Sequence, residues 1–156
     1  MKKRKKRKER KMIQWDEKYF VTELKEKVVN APWTPQFGEG DALRLISLDG
    51  EVRKGAFYME TSWFMPGDWP ATIGDMGTVK AHSHDFAEAV AYVGTDPSDP
   101  YNLNGEIEFW IDGKQNNIDR SFIAFIPAGI EHGPLLFKRI EKPIFHFTSG
   151  MSRDYL

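Results

Sequence analysis

The sequence predicts an all-β protein that folds as one antiparallel barrel or sandwich. Short runs rich in β-branched and aromatic residues recur along the chain, and Gly, Pro, Asp and Asn separate them at intervals of roughly eight to twelve residues. Helical periodicity is almost absent. A length of 156 residues suits a single domain with a modest extension, and we find no internal duplication that would make two barrels.

The predicted strands follow one another from residue 41 to residue 148. Asp-Gly pairs at 49–50 and 112–113 are strong hairpin signals. Pro66 and Pro127 each follow a strand-like run and end it. The strand-like segments are 41–48, 55–65, 77–82, 87–93, 105–111, 121–126 and 142–148. We therefore expect the barrel to occupy residues 41–150.

The chain before the barrel divides into two parts. Residues 1–11 hold nine Lys or Arg side chains and one acid, so they form a basic arm that we expect to be solvated and partly disordered. Residues 12–40 are expected to pack on the barrel as an extension. The pattern in 12–30 fits a short helix and also a strand, and we lean slightly to a helix or an extended arm.

Charge and composition exclude several functions. The formal net charge is −1, but removing the basic arm leaves 13 basic and 22 acidic residues, a net of −9. Such an acidic body argues against specific nucleic-acid binding, and the arm could give only weak, nonspecific contacts with anions. No apolar stretch reaches the length of a secretory signal or a membrane span, so we expect a cytoplasmic protein.

The histidines are the residues that indicate a metal site. The chain has four histidines and no cysteine, which leaves imidazole and carboxylate as the available metal ligands. His82, His84 and Glu88 would share one face of a continuous strand, because side chains alternate along a strand. His132 follows a Pro-Ala-Gly turn that re-aims the chain, and it is the best-placed third imidazole. This ligand set suits one divalent transition metal, namely Mn, Fe, Ni, Zn or Cu, with a position left open for a ligand.

These motifs resemble those of the cupin superfamily. The first runs from Gly77 through the two histidines and Glu88 to Gly94, and the second is Pro127-x-Gly129-x2-His132. The resemblance implies a jelly-roll barrel with the metal near one mouth, held by His82, His84, Glu88 and His132. Two spacings in the first motif are one residue shorter than usual, and Ser121 and Leu136 replace structural residues of the second. The sequence looks like the bacterial single-barrel cupins of uncharacterised type rather than the oxalate, germin or phosphomannose enzymes.

Further residues are candidates for the surroundings of the metal. Tyr92 shares the parity of the ligands, and His146 lies in an aromatic strand. Each is a candidate catalytic residue, although a core role is equally open for Tyr92 and is favoured for His146. Phe86 and Trp110 are expected to line the cavity.

Three functions compete at this point. We favour a metal-dependent enzyme of the dioxygenase, isomerase, lyase or decarboxylase class that acts on a small oxygen-rich metabolite. The alternative is a non-catalytic module that binds or senses a small ligand through the same metal. A purely structural protein ranks last, because the ligand set is complete. We also expect a homodimer, from the resemblance and from the aromatic strand around Trp63.

Overall fold

The fold was described from a computed structural model, which describes residues 14–24, 42–67, 69 and 80–152. The basic arm at 1–11, most of the predicted extension and Gly77 lie outside the described residues. Residues 14–24 contain a turn and neither helix nor strand. In the described part of the chain, no helix of membrane-spanning length and hydrophobicity is found.

The described residues form eight strands. They are β1 (Ala42–Leu48), β2 (Tyr58–Phe64), β3 (Glu88–Gly94), β4 (Asn102–Ile111), β5 (Lys114–Arg120), β6 (Phe122–Ile126), β7 (His132–Ile140) and β8 (Ile144–Gly150). Every pairing is antiparallel. The all-β prediction is confirmed.

The strands form two sheets rather than one closed barrel. One sheet has five strands in the order β1-β2-β8-β3-β6, and the other has three in the order β5-β4-β7. Among the described residues, the sheets are not joined by strand pairing between named strands. The expected barrel is thus an open jelly-roll sandwich.

The hydrophobic core lies between the two sheets. Phe64, Val90 and Tyr92 project from the larger sheet and pack against residues of the smaller one, such as Phe109 and Phe137. Phe64 and Phe137 have ring centroids 4.5 Å apart. Because alternate residues of each strand enter this layer, the core fixes which side chains face inward.

The inward residues of the larger sheet form rows across its strands. At one end, Glu88 of β3 pairs with Gly150 of β8. In the next row, Glu60 of β2 pairs with Thr148, and Thr148 pairs with Val90. A third row runs across four strands. Its members are Arg44, Ser62, His146 and Tyr92. Polar groups therefore cover much of this inner surface.

Candidate metal centre

Backbone hydrogen bonds bring the two histidine motifs together. His82 and His132 form an isolated antiparallel bridge, with both N–H···O distances at 2.9 Å. The amide of Gly129 also donates to the carbonyl of His84 at 2.8 Å. Gly133 permits this close approach, since its φ is +93° and a Cβ there would stand 2.7 Å from the carbonyl oxygen of Lys80. The first motif is therefore fixed against the start of β7.

Each of the three imidazoles is held in the same way. Nδ1 of His82 lies 2.8 Å from the carbonyl oxygen of Lys80. Nδ1 of His84 lies 2.7 Å from that of Phe86, and Nδ1 of His132 lies 2.9 Å from that of Ile130. A carbonyl can only accept, so each Nδ1 carries the proton in the neutral ring. In that tautomer Nε2 is the ring nitrogen whose lone pair can bind a metal.

The ligand atoms of His82, His84 and His132 converge on one point. They all lie within 4.8 Å of one another. When several atoms each bind one metal ion at about 2.1 Å, they lie about 3–4 Å from one another. A small movement of the three rings would therefore suffice to bind a metal. Among the described residues, Nε2 of the buried His132 makes no hydrogen bond. An ion at this point would satisfy it.

Glu88 completes the group from the first residue of β3. Its Oε2 lies 3.2 Å from Nε2 of His84 and 3.1 Å from Nε2 of His132, the latter at an angle too poor for a hydrogen bond. Thr148 donates to Oε1 at 2.7 Å. Burial alone would raise the pKa of Glu88, but the contact with His132 and the bond from Thr148 outweigh it and place the pKa below its ordinary value. The carboxylate is therefore anionic at neutral pH.

The histidines differ in their affinity for protons. Burial lowers the pKa of His82 despite its bond to the Lys80 carbonyl. Burial acts in the same direction on His132, but Glu88 and the Ile130 carbonyl raise its pKa by more. His132 therefore holds a proton more readily than His82 does. A metal ion must displace that proton, so its binding depends on pH.

The ring of Phe86 packs against His84, one of the candidate metal ligands. Its ring stacks on that of His84 with centroids 3.9 Å apart and an interplanar angle of 3°. An unbroken strand over 82–88 would place Phe86 in the cavity wall, and the other possibility was a bend before residue 87. The chain bends at 85–86 and β3 begins only at Glu88, which breaks the alternation. Phe86 packs behind His84 for this reason.

A cavity opens onto the metal ligands between the sheets. Its empty volume is about 560 Å³ including the opening to solvent. His82, Glu88 and His132 lie at one part of its wall, and Tyr92 and His146 lie at another. Apolar side chains form most of the remaining wall. They include Phe64, Val90, Phe109 and Leu135.

Both candidate catalytic residues lie in this cavity. Nδ1 of His146 donates to the carbonyl of Ala91 at 2.9 Å, so its Nε2 is an acceptor. Burial lowers the pKa of His146 to about 4, which keeps the ring neutral. Tyr92 stacks on His146 at 4.4 Å, and burial raises the pKa of its phenol far above the usual range. Both side chains are neutral hydrogen-bonding groups at physiological pH.

Trp110 occupies a different position from the one expected. Its indole N–H donates to Glu108 at 2.8 Å on the face of β4 opposite the core. Phe109 takes the place in the cavity wall. The alternation of β4 explains this, because Ile107 and Phe109 enter the core layer and their neighbours point away.

Sequence reasoning missed two features of the cavity. Thr148 binds Glu88 across 60 positions of sequence, and the pair of Arg44 with the fully buried Glu60 joins two neighbouring strands. The sequence did contain one indication: Glu60 is a charged residue at a position of an aromatic strand whose side chain is expected to face inward. Its meaning depends on which strand lies next to it.

Comparison with known proteins supports the fold. No family model and no curated protein matches the sequence. A solved recombinant oxalate oxidase in complex with glycolate matches with 18% identity and a TM-score of 0.51, over 90% of this chain and 62% of that one. The present chain thus spans less than two thirds of the oxalate oxidase chain.

Two smaller structures are also similar. An RmlC-like cupin from Shewanella frigidimarina shares 17% identity over 73% of this chain and 79% of that one, with a TM-score of 0.42. A predicted oxalate decarboxylase from Thermotoga maritima shares 18% identity over 71% and 78%, with a TM-score of 0.43. Identities this low concern the fold and not the activity. With its two facing antiparallel sheets and a histidine cluster suited to a metal ion, this chain has the cupin fold.

Proposed function

We propose that the protein is a metal-dependent cupin enzyme that acts on a small oxygen-rich metabolite. His82, His84, Glu88 and His132 would hold one divalent transition metal, which is Mn, Fe, Ni, Zn or Cu by the softness of its ligands. One observation carries the proposal. The Nδ1 atom of each imidazole lies within hydrogen-bond distance of a backbone carbonyl, and the three residues offer ring nitrogens within 4.8 Å of one another.

The side chains around the site have definite tasks in such an enzyme. When bound, the metal would supply a Lewis acid and a template for substrate oxygens. Nε2 of His146 accepts a hydrogen bond from a substrate hydroxyl, and the Tyr92 phenol can donate one. Apolar side chains of the cavity wall, such as Phe64 and Leu135, would exclude water from the reacting groups.

The dioxygenase, isomerase, lyase and decarboxylase classes remain within this proposal. A metal with an open position and a polar side chain nearby can serve each of these classes. His146 is a neutral group in this position, because its Nδ1–H bond to Ala91 leaves Nε2 as a hydrogen-bond acceptor. A non-catalytic binding or sensing module is the alternative, and it needs the same metal and cavity.

The first experiment measures metal content in protein purified without a histidine tag. We expect about one divalent ion per chain by elemental analysis. His82→Ala and His132→Ala should lose the ion, whereas the matched variant His146→Ala should keep it. Loss of the ion from His146→Ala with retention in His132→Ala would overturn the ligand assignment.

A second experiment separates the enzyme from the binding module. Small acids and sugars are screened by thermal shift against metal-loaded and metal-stripped protein, and each stabilising compound is then assayed for conversion. Turnover supports the enzyme. Stabilisation without product in every case supports the module.

The cellular setting completes the proposal. A homodimer agrees with the exposure of Ile123 and Phe125, which are 65% and 71% accessible on the edge strand β6. Bacterial origin and a cytoplasmic location stay predictions. The basic arm is expected to contribute at most weak contacts with anions.

A further inference from the structure

The cavity holds a second polar group that the metal site does not use. Arg44 of β1 lines the same cavity as His82, Glu88 and His132, and its side chain is 19% accessible. Among the described residues that line this cavity, it is the one with a permanent positive charge. A β-bulge follows it in β1, and it lets both Arg44 and Ser47 face inward.

Glu60 holds the guanidinium in a fixed orientation. Nε of Arg44 donates to Oε1 of Glu60 at 2.9 Å, and Nη2 donates to Oε2. The Glu60 side chain is fully buried, and the hydroxyls of Tyr58 and Ser62 donate to it as well. This side-on pairing occupies one edge of the guanidinium. Within the described part of the chain, Nη1 has no protein partner and is left for the cavity.

A role in folding alone explains this pair poorly. A buried ion pair contributes little net stability compared with apolar residues of similar size. Of the described residues in the cavity wall, Arg44 is the one that offers charged, directional guanidinium N–H donors. Such donors are suited to ligand recognition.

Formal charges restrict the ligand further. A divalent ion with Glu88 and three neutral imidazoles carries a net +1, and the Arg44–Glu60 pair adds zero. One negative charge on the ligand therefore neutralises the cavity. A neutral polyol leaves it positive, and a dianion makes it negative.

Arg44 and the candidate metal ligands lie in different parts of the larger sheet. Arg44 lies on β1, three strand spacings or about 14 Å across the sheet from β3, and two rows along the sheet from Glu88, and both residues line the cavity. A ligand that touches both must have oxygens at its two ends. His146 lies between them and offers an acceptor to a hydroxyl.

From these observations we infer that the ligand is a small polyhydroxy monocarboxylate, with one oxygen-bearing end at the metal and a hydroxyl-bearing end at Arg44. The inference rests on the proposed metal site and names the ligand class for it. Arg44 acts as a specificity-determining residue, and Glu60 orients it and cancels its charge.

A matched set of C4 compounds tests this inference. Threonate is the polyhydroxy monoanion, and 2-hydroxybutyrate has the same α-hydroxy acid head with an apolar tail. Threitol is the neutral polyol and tartrate is the dianion. Binding of each to the metal-loaded protein is measured by calorimetry, after the metal content of each sample has been determined.

The wild-type protein should bind threonate about tenfold or more tighter than 2-hydroxybutyrate, as expected for a hydrogen bond from a charged donor. It should bind threitol and tartrate more weakly than threonate. The variant Glu60→Gln makes the cavity more positive, and it should shift the preference from threonate towards tartrate.

The double variant Arg44→Gln/Glu60→Gln isolates the hydrogen bond from the charge. It leaves the formal charge of the cavity unchanged and avoids an unpaired buried carboxylate that would endanger folding. It should bind 2-hydroxybutyrate as the wild type does and lose the advantage of threonate.

Three results would overturn the inference. They are equal affinity of the wild type for threonate and 2-hydroxybutyrate, a double variant that keeps the wild-type preference, and no binding of any of the acids. If these occur with one metal ion per chain, the ligand class is wrong and the metal site stands. If the wild type holds no metal, the proposed function itself fails.

Discussion

Gly150 offers a test of how the protein positions a metal ligand without a change to any ligand. A Cβ at Gly150 would stand 2.5 Å from Cε2 and 2.8 Å from Cδ2 of Phe86. Phe86 stacks on His84, so the Gly150→Ala variant must displace the Phe86 ring and disturb this stacking. Overpacking of this kind costs about 1–3 kcal/mol in stability.

The effect on the metal follows from the same contact. If about 1.4–2.8 kcal/mol of strain reaches His84, the metal dissociation constant rises about 10–100-fold, which is the usual effect of disturbing a neighbour of a ligand. The assay is calorimetric metal titration of Gly150→Ala, with stability measured in denaturant. The control is Gly67→Ala, where a Cβ meets nothing within 4 Å.

A second variant makes this test specific. Gly150→Ala/Phe86→Leu removes the clash, and it should recover much of the lost stability, while His84 loses its stacking partner. Gly150→Ala with wild-type metal affinity and reduced stability would refute the idea that Phe86 positions His84.

Three further predictions concern the surroundings of the site. Thr148→Val removes the 2.7 Å hydrogen bond to Glu88, which should raise the pKa of that carboxyl. It should also lower the free energy of unfolding, measured by denaturant titration, by about 1.5–3 kcal/mol. The control variant Thr148→Ser should keep the pKa of Glu88 and the free energy of unfolding near their wild-type values. His146 has a pKa of about 4 in the folded protein against 6.5 unfolded, so the unfolded chain binds more protons between these values and stability should fall by about 3 kcal/mol as pH drops from 6.5 to 4. His146→Gln should lose that part of the pH dependence, and a variant with the wild-type slope would contradict the assignment. Sedimentation should show a dimer that Phe125→Lys weakens, and a wild-type monomer at micromolar concentration would end the dimer prediction.

The sequence predicted the strands whose apolar residues alternate and missed those without that pattern. β1, β2, β3, β4, β6 and β8 fall on predicted segments with shifted ends. β5 (Lys114–Arg120) is polar and almost wholly exposed, so it has no apolar alternation to detect. β7 begins at His132 and contains Pro134, which argues locally against a strand.

The candidate site shows a similar division. The types and spacing of the candidate metal ligands could be predicted from the sequence, because three of the four histidines fall in two short motifs and few structures other than a metal site explain this. The sequence left open whether the strand continues through 82–88 or bends, since the choice depends on the packing of Phe86 against His84 and Gly150. Arg44, Glu60 and Thr148 were missed because their roles arise from the order of strands, which no local pattern specifies.

The coordination of a bound ion would test the proposed metal centre directly. A crystal structure of the metal-loaded protein should show one ion bound by Nε2 of His82, His84 and His132 and by Glu88, with each Nδ1 still on its backbone carbonyl. An ion held through Nδ1, or one that excludes His132 in favour of His146, would contradict the central claim.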